Sequence, residues 1–269
     1  MRTPPRSIQL YDADAHPLDT AGAVRRLEGA DVVLFGELHG HPAIHQLELE
    51  LATALVDACG GRVVLGAEMF EADDQLALDE FLSGLIPHRH LVAEAKTWDR
   101  YELDYRPLVE LAAERGLRFV ATNVPRRYAG LVAREGLAVL ERLSPEARRW
   151  LAPLPIVVDL ATPGYRAMAE MGLTMGGRMP ADPARLVAAQ ALKDATMAHF
   201  IAANRPDGAL LLHFNGVFHS QERGGIGWHL RRRDPGLDVR TLSCVEGDPA
   251  GLEPGQRGLG DLVAVVRPI

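Results

Sequence analysis

Two short stretches of this sequence carry the residue types of a chemical site. Gly36-Glu37-Leu38-His39 and Gly216-Val217-Phe218-His219 are both Gly-x-x-His, and each directly follows an apolar run. Glycine permits a tight exit from a strand and turns the histidine back over the sheet edge. A third feature is Glu68 within Leu65-Gly66-Ala67-Glu68-Met69-Phe70. A carboxylate in such surroundings is costly unless a cation, a proton donor or a metal meets it. Imidazole and carboxylate serve both as metal ligands and as acid/base groups. Glu37, His39, Glu68 and His219 are therefore candidates for either use, and the residues leave the choice open. For Glu68 alone, a structural ion pair is the ordinary alternative.

The weaker signals favour structural roles. His41, His45 and Glu48 share a helix face, but no His-Glu-x-x-His signature accompanies them and surface histidines near a helix N-terminus are common. Glu48 is read as uninvolved, with His45 left open. Met168, Met171, Met175 and Met179 follow helical spacing with Tyr165 one turn ahead, a pattern of core packing that can also line a flat apolar ligand. Arg231-Arg232-Arg233 reads as a basic last helical turn complementing the dipole. Cys59 and Cys244 lie far apart without a Cys-x-x-Cys partner and read as buried thiols.

The elements that must position these groups follow from periodicity. Continuous apolar runs bounded by turn residues predict strands buried on both faces over 31–37 and 63–68, and the alternation predicts further strands over 117–122, 209–214, 239–242 and 262–266. Helical spacing from Pro42 to Gly60-Gly61, over 74–82 and over 105–115 separates the earlier strands. The expectation is an α/β protein with a mixed, mostly parallel central sheet flanked by helices, plus a small helical insertion domain. The α/β core spans 1–125 and 190–269. The insertion, 126–189, carries helical patterns over 131–143 and 145–151, then a Gly-, Pro- and Met-rich stretch over 163–183 before a helix over 184–204. Parallel strands deliver their C-terminal ends to one edge, so Glu37, His39, Glu68 and His219 should meet in one pocket. Asn123 should line it beside Arg126 or Arg127.

Composition removes several classes. The 269 residues, 47% hydrophobic and 24% charged, suit a folded globular body. A net charge of -7 argues against a phosphate-backbone binder, so nucleic acid is not an expected partner. No stretch approaches the ~18 apolar residues of a membrane span, and Met1 to Arg6 lacks a signal-peptide core. The expected location is therefore cytoplasmic. The sequence is silent on oligomeric state.

An ordered series of motifs carries a family resemblance. It consists of Gly36-Glu37-Leu38-His39 with His45-Gln46, Glu68-Met69-Phe70, Trp98 with Tyr101 and Tyr105, and Ala121-Thr122-Asn123-Val124-Pro125-Arg126, followed by Ala189-Gln190 with Asp194-Ala195-Thr196-Met197-Ala198 and Asn215-Gly216-Val217-Phe218-His219. Over about residues 28–235 the chain resembles the ChaN-like haem-binding uptake family, within a superfamily that also holds Tiki proteases, TraB proteins and erythromycin esterases. The resemblance implies haem or an iron-related small molecule as ligand. Tyr165, Met168, Arg127 and Asn123 are its expected contacts, because tyrosine can ligate ferric haem and methionine can line it. The competing implication is a hydrolase of ester or peptide bonds. It either holds a divalent metal on Glu37, His39, Glu68 and His219 or, metal-free, uses a histidine base oriented by a glutamate. The chain departs from the family in having no lipobox cysteine, and in Met175-Gly176-Gly177-Arg178, where histidines are expected.

Overall fold

The computed structural model describes residues 7–175 and 182–269, the side chains of 171–175 aside. An eight-stranded mixed sheet forms the centre, in the order β2-β1-β8-β7-β3-β6-β4-β5. Six of its strands, β3 (Val32–Glu37), β4 (Val63–Glu71), β5 (Phe119–Asn123), β6 (Leu210–Gly216), β7 (Val239–Glu246) and β8 (Leu262–Val266), all run parallel. Every residue of β3, β4, β5, β6 and β8 is buried, the result of apolar runs covered on both faces by helices. An antiparallel edge, β1 (Ile8–Asp12) with β2 (Pro17–Leu18), completes the sheet against β8.

Helices connect most of the parallel strands, whose direction requires a crossover between them. After α1 (Thr20–Leu27), α2 (Pro42–Ala58) starts with proline in its first turn and buries Ile44, Leu47, Leu51 and Leu55. Gly60 and Gly61 then reverse the chain at φ 59° and 76°. The helices α3 (Gln75–Leu82), α4 (His88–Glu94), α5 (Tyr101–Asp104) and α6 (Arg106–Arg115) link β4 to β5. β4 runs three residues past the expected end, because a bulge between Ala67 and Glu71 lets the pairing with β5 resume at Asn123.

Between β5 and β6 the described residues are helical or irregular: α7 (Arg126–Glu135), α8 (Pro145–Arg148), α9 (Pro163–Met175) and α10 (Pro183–Asn204). They enclose a separate small core around Val132, Leu140, Leu151 and Leu192. The last helix, α11 (Gly225–Arg233), ends in the three arginines. Cys244 is buried, whereas Cys59 is only half buried at the end of α2, which corrects the expectation of two buried thiols. Among the described residues no helix is long and apolar enough to cross a membrane.

Leu212, fully buried on β6 between β3 and β4, lies at the centre of this packing. Leu212→Ala is expected to cost about 2–5 kcal/mol. A shift in the urea midpoint at unchanged slope is the measurement that checks it.

Candidate functional site

The two Gly-x-x-His motifs leave the sheet side by side, because β3 and β6 are parallel neighbours with Glu37 paired to Gly216. Each glycine makes room for the other motif. A Cβ on Gly36 would lie 3.0 Å from the Val217 Cα and 2.9 Å from the Ser220 Oγ. One on Gly216 would lie 2.8 Å from the His39 Nε2 and 2.9 Å from its Cε1. Neither glycine has a positive φ, so close approach is the constraint here and not the tight turn expected from sequence.

Within this interlock the four expected residues do come together, as two units of opposite character. In the first, the buried Glu37 accepts from His39 Nδ1 at 2.5 Å and from the Tyr105 hydroxyl at 3.1 Å. The Glu37 hydrogen bond raises the His39 pKa, against an opposing cost of burial. His39 is half exposed, and its Nε2 has no partner among the described residues. The residue lines a cavity of about 440 Å³ together with Trp98, Arg100, Tyr105 and Arg126. The Trp98 ring stands edge-on to the imidazole at 5.0 Å.

The second unit is closed. Glu68, 2% exposed, takes the Gly216 N–H at 2.9 Å and His219 Nε2 at 3.0 Å. His219 Nδ1 meets Asp194, with the Gln190 amide nitrogen 2.9 Å away. Burial by itself would keep His219 neutral, but the two carboxylates outweigh it and push its pKa up to about 10. Burial likewise opposes the charge on Glu68, and the imidazolium overcomes it, bringing that carboxyl down to about 2. With a carboxylate on each ring nitrogen, His219 has no lone pair for a metal. Among the described residues, three donor atoms from separate side chains converge within 4.8 Å at Asp12, Asp14 and His16, not at this cluster. The arrangement therefore does not fit the four-residue divalent site considered from the sequence.

Other expectations change as well. Tyr165 is 2% exposed; its hydroxyl donates to Asp194 Oδ2 at 2.7 Å, and its pKa is raised by burial and then by the Asp194 charge. It faces inward and does not cover the His39 cavity, and Met168 packs on the same inner cluster. The side chains of Met171 and Met175, and all of residues 176–181 with Met179, lie outside the described residues. Arg126 lines the cavity, whereas Arg127 is held by Asp73 at 2.6 Å and stacks over Tyr128. Asn123 is buried and donates to the Glu68 carbonyl at 3.0 Å. Glu48, read as uninvolved, is fully buried against His45 at 2.7 Å. Burial pushes it up to about 7; the His45 hydrogen bond opposes that shift and the Glu37 charge adds to it.

Three partners escaped prediction as site residues: Asp194, Tyr105 and His213. The last is fully buried between Thr122 at 2.7 Å and Asn215 at 3.1 Å, and burial lowers its pKa to about 4. Asp194 and Tyr105 stood in the motif series. His213, inside the run Leu210-Leu211-Leu212-His213-Phe214, was detectable as a polar residue in an otherwise apolar strand.

With this geometry in view, comparison with known proteins becomes specific. Residues 23–230 match the family described as haem-binding uptake, Tiki superfamily, ChaN. The chain belongs to this family. Among solved structures it is similar to ChaN of Campylobacter jejuni, described as binding haem cofacially, at a TM-score of 0.73 and 16% identity over 97% of both chains. A protein from Bacillus cereus matches at a TM-score of 0.52 and 10% identity, covering 93% of this chain and 92% of that one. A succinoglycan biosynthesis protein matches at 0.51 and 11%, covering 91% and 90%. At these identities the likeness is one of fold. No curated protein sequence matches the chain.

Two predictions follow from the closed unit and the interlock. Stability carried by His219 is complete below pH 6.5 and is lost as pH rises towards about 10, since the unfolded chain releases that proton first. Stability carried by neutral His213 is complete above pH 6.5 and is lost as pH falls towards about 4. Urea denaturation between pH 4 and 10 should therefore give declining limbs on both sides, and Glu68→Gln should lower the plateau by about 3–5 kcal/mol. Gly216→Ala, which must displace the His39 ring, should cost about 1–3 kcal/mol and move the His39 resonances in an NMR spectrum.

Proposed function

We propose that this chain binds haem, or a closely related iron-bearing small molecule, at the cavity opened by His39. The observation that carries this reading is the Glu37–His39 dyad. It holds one imidazole nitrogen on a buried carboxylate and leaves the other, Nε2, without a partner among the described residues, on a half-exposed ring that lines the cavity. Histidine backed by a carboxylate is a competent axial ligand for haem iron, and the partner fixes the tautomer and raises ligand basicity. The cavity suits a flat macrocycle. Trp98 and Tyr105 offer aromatic wall, and Arg100 and Arg126, which are bonded to Asp104 and Glu71, line the cavity as the cations that carboxylate side groups of the ring would meet. Bound haem would supply an iron centre. The chain itself orients His39, excludes water with Trp98 and holds the anionic periphery. Family membership and the fold shared with ChaN of Campylobacter jejuni support the same reading.

Titrating purified apo-protein with haemin tests it. A saturable, stoichiometric Soret shift is expected. It should be weakened about tenfold or more in His39→Ala and left unaltered in Tyr165→Phe, because removing an iron ligand costs well over 1.4 kcal/mol. A non-saturating rise, or full binding by His39→Ala, overturns the assignment.

The same dyad favours one second reading. A neutral imidazole oriented by a carboxylate is also a general base, so the cavity could activate water against an ester. This reading requires hydrolysis, in a broad ester and peptide screen, that disappears in His39→Gln. Its absence from the wild-type protein removes it.

A further inference from the structure

The basic run at the end of α11 exceeds what its helix dipole needs. A helix C-terminus carries about half a negative charge, and three arginines stand there. Arg231 is satisfied by the Arg223 carbonyl. Arg232 and Arg233 have no carboxylate partner among the described residues, and the remaining stretches, 1–6 and 171–181, contain no Asp or Glu. Arg232 lies 5.7 Å over the Trp228 ring, and Arg233 donates to His199 Nδ1 at 3.1 Å. Two unneutralised cations side by side are notable in a chain where 36 acids outnumber 29 Lys and Arg.

Both arginines line a cavity of about 240 Å³ together with His199 and His229, and none of its lining residues is acidic. Pro155 and Ile156 contribute an apolar wall. The hydrogen-bond network assigns the tautomers. His199 accepts from Arg233 through Nδ1, so its Nε2 carries the proton and is available as a donor. The Tyr165 hydroxyl donates to Asp194 and so accepts from His229 Nε2 at 3.3 Å. We propose that this cavity is a second binding site, taking a small metabolite whose phosphate or carboxylate group sits against Arg232, Arg233 and His199 and whose apolar part lies on Pro155 and Ile156. The guanidinium fork matches both oxyanions, and at about 240 Å³ the space is smaller than drug-sized pockets of about 300–1,000 Å³, which favours a compact ligand over a macrocycle.

The electrostatics of the walls agree with an unmet demand for negative charge. Burial and then the Arg233 charge lower the His199 pKa. Burial lowers His229 to about 4, and the Arg232 charge acts in the same direction against Asp194. An oxyanion between them would offset the arginine contributions and raise both values.

Calorimetric titration of the whole chain with inorganic phosphate, and separately with succinate, tests the proposal and identifies the preferred group. At least one probe should bind at one site, more weakly as NaCl rises from ~0.05 to ~0.5 M. The double variant Arg232→Gln/Arg233→Gln should lose about tenfold or more in affinity, since it removes both charge-assisted hydrogen-bonding groups from the site. Arg231→Gln should remain within about twofold of the parent, its guanidinium being outside the cavity. In the NMR spectrum, the bound probe should raise the His199 titration midpoint. Failure of both probes to saturate at ~10 mM, a level that would mean affinity weaker than about 3 kcal/mol, overturns the site. Equal affinity of the double variant and the parent does so as well.

Discussion

The constraint on which the site depends is steric: the ends of two neighbouring parallel strands share one space that only glycine leaves open. Gly36 gives its Cβ volume to Val217 and Ser220 of the second motif, and Gly216 gives its own to the His39 ring of the first. Because β3 and β6 are in parallel register with Glu37 opposite Gly216, this exchange is reciprocal. It also sets the polar chemistry. With no side chain on Gly216, its N–H is within reach of Glu68, which anchors that carboxylate from a third strand, and His219 then closes on the other oxygen. A methyl group on either glycine would separate the motifs by a few tenths of an ångström, enough to lengthen hydrogen bonds that are already short.

Two histidines from the same motif thus have different fates. His219 is clamped between Glu68 and Asp194 at 6% exposure, so its charge is fixed and unavailable. His39 has one carboxylate, and its second nitrogen is without a partner among the described residues. The distinction arises from what each strand end faces. β6 turns beneath α10, which supplies Asp194, whereas β3 turns toward the segment before α5, which supplies aromatic wall from Trp98 and leaves a cavity. A charged triad out of water and a single exposed imidazole are complementary: the first fixes the geometry and the second remains able to react or coordinate.

Much of this was legible in the residues, for a physical reason. Strands buried on both faces must be continuous apolar runs, so 31–37, 63–68 and 209–214 stood out, as did the polar groups ending them. The antiparallel edge was not legible, because β1 interleaves Gln9 and Asp12 with Leu10 and Tyr11 over only five residues. Glu68 could be recognised as buried because its neighbours are apolar. Asp194 could not be singled out by pattern, since one acid on a 22-residue helix looks like a solvated position until the packing direction is known. The same limit applies to Glu48 and to the Tyr165 and Met168 stripe. Helical spacing shows that a face exists and says nothing of which partner it meets.

Asp194 also bears on which side chain of this fold is free to meet an iron-bearing ligand. Its two oxygens are divided between His219 and the Tyr165 hydroxyl, in a position with no solvent exposure. Recruiting Tyr165 as a phenolate ligand would require removing its proton against a pKa already raised by burial. It would also leave a buried carboxylate oxygen unpaired, at a cost of about 1–3 kcal/mol or more for a charged group. His39 asks for neither change, since its Nε2 is unpartnered among the described residues and the Glu37 bond on its other nitrogen is kept when a ligand arrives. The energetic balance in this conformation therefore favours the motif histidine of β3 over the tyrosine of α9. The hydroxyl that looked most like a haem ligand in the sequence instead completes the hydrogen bonding of the acid that holds His219.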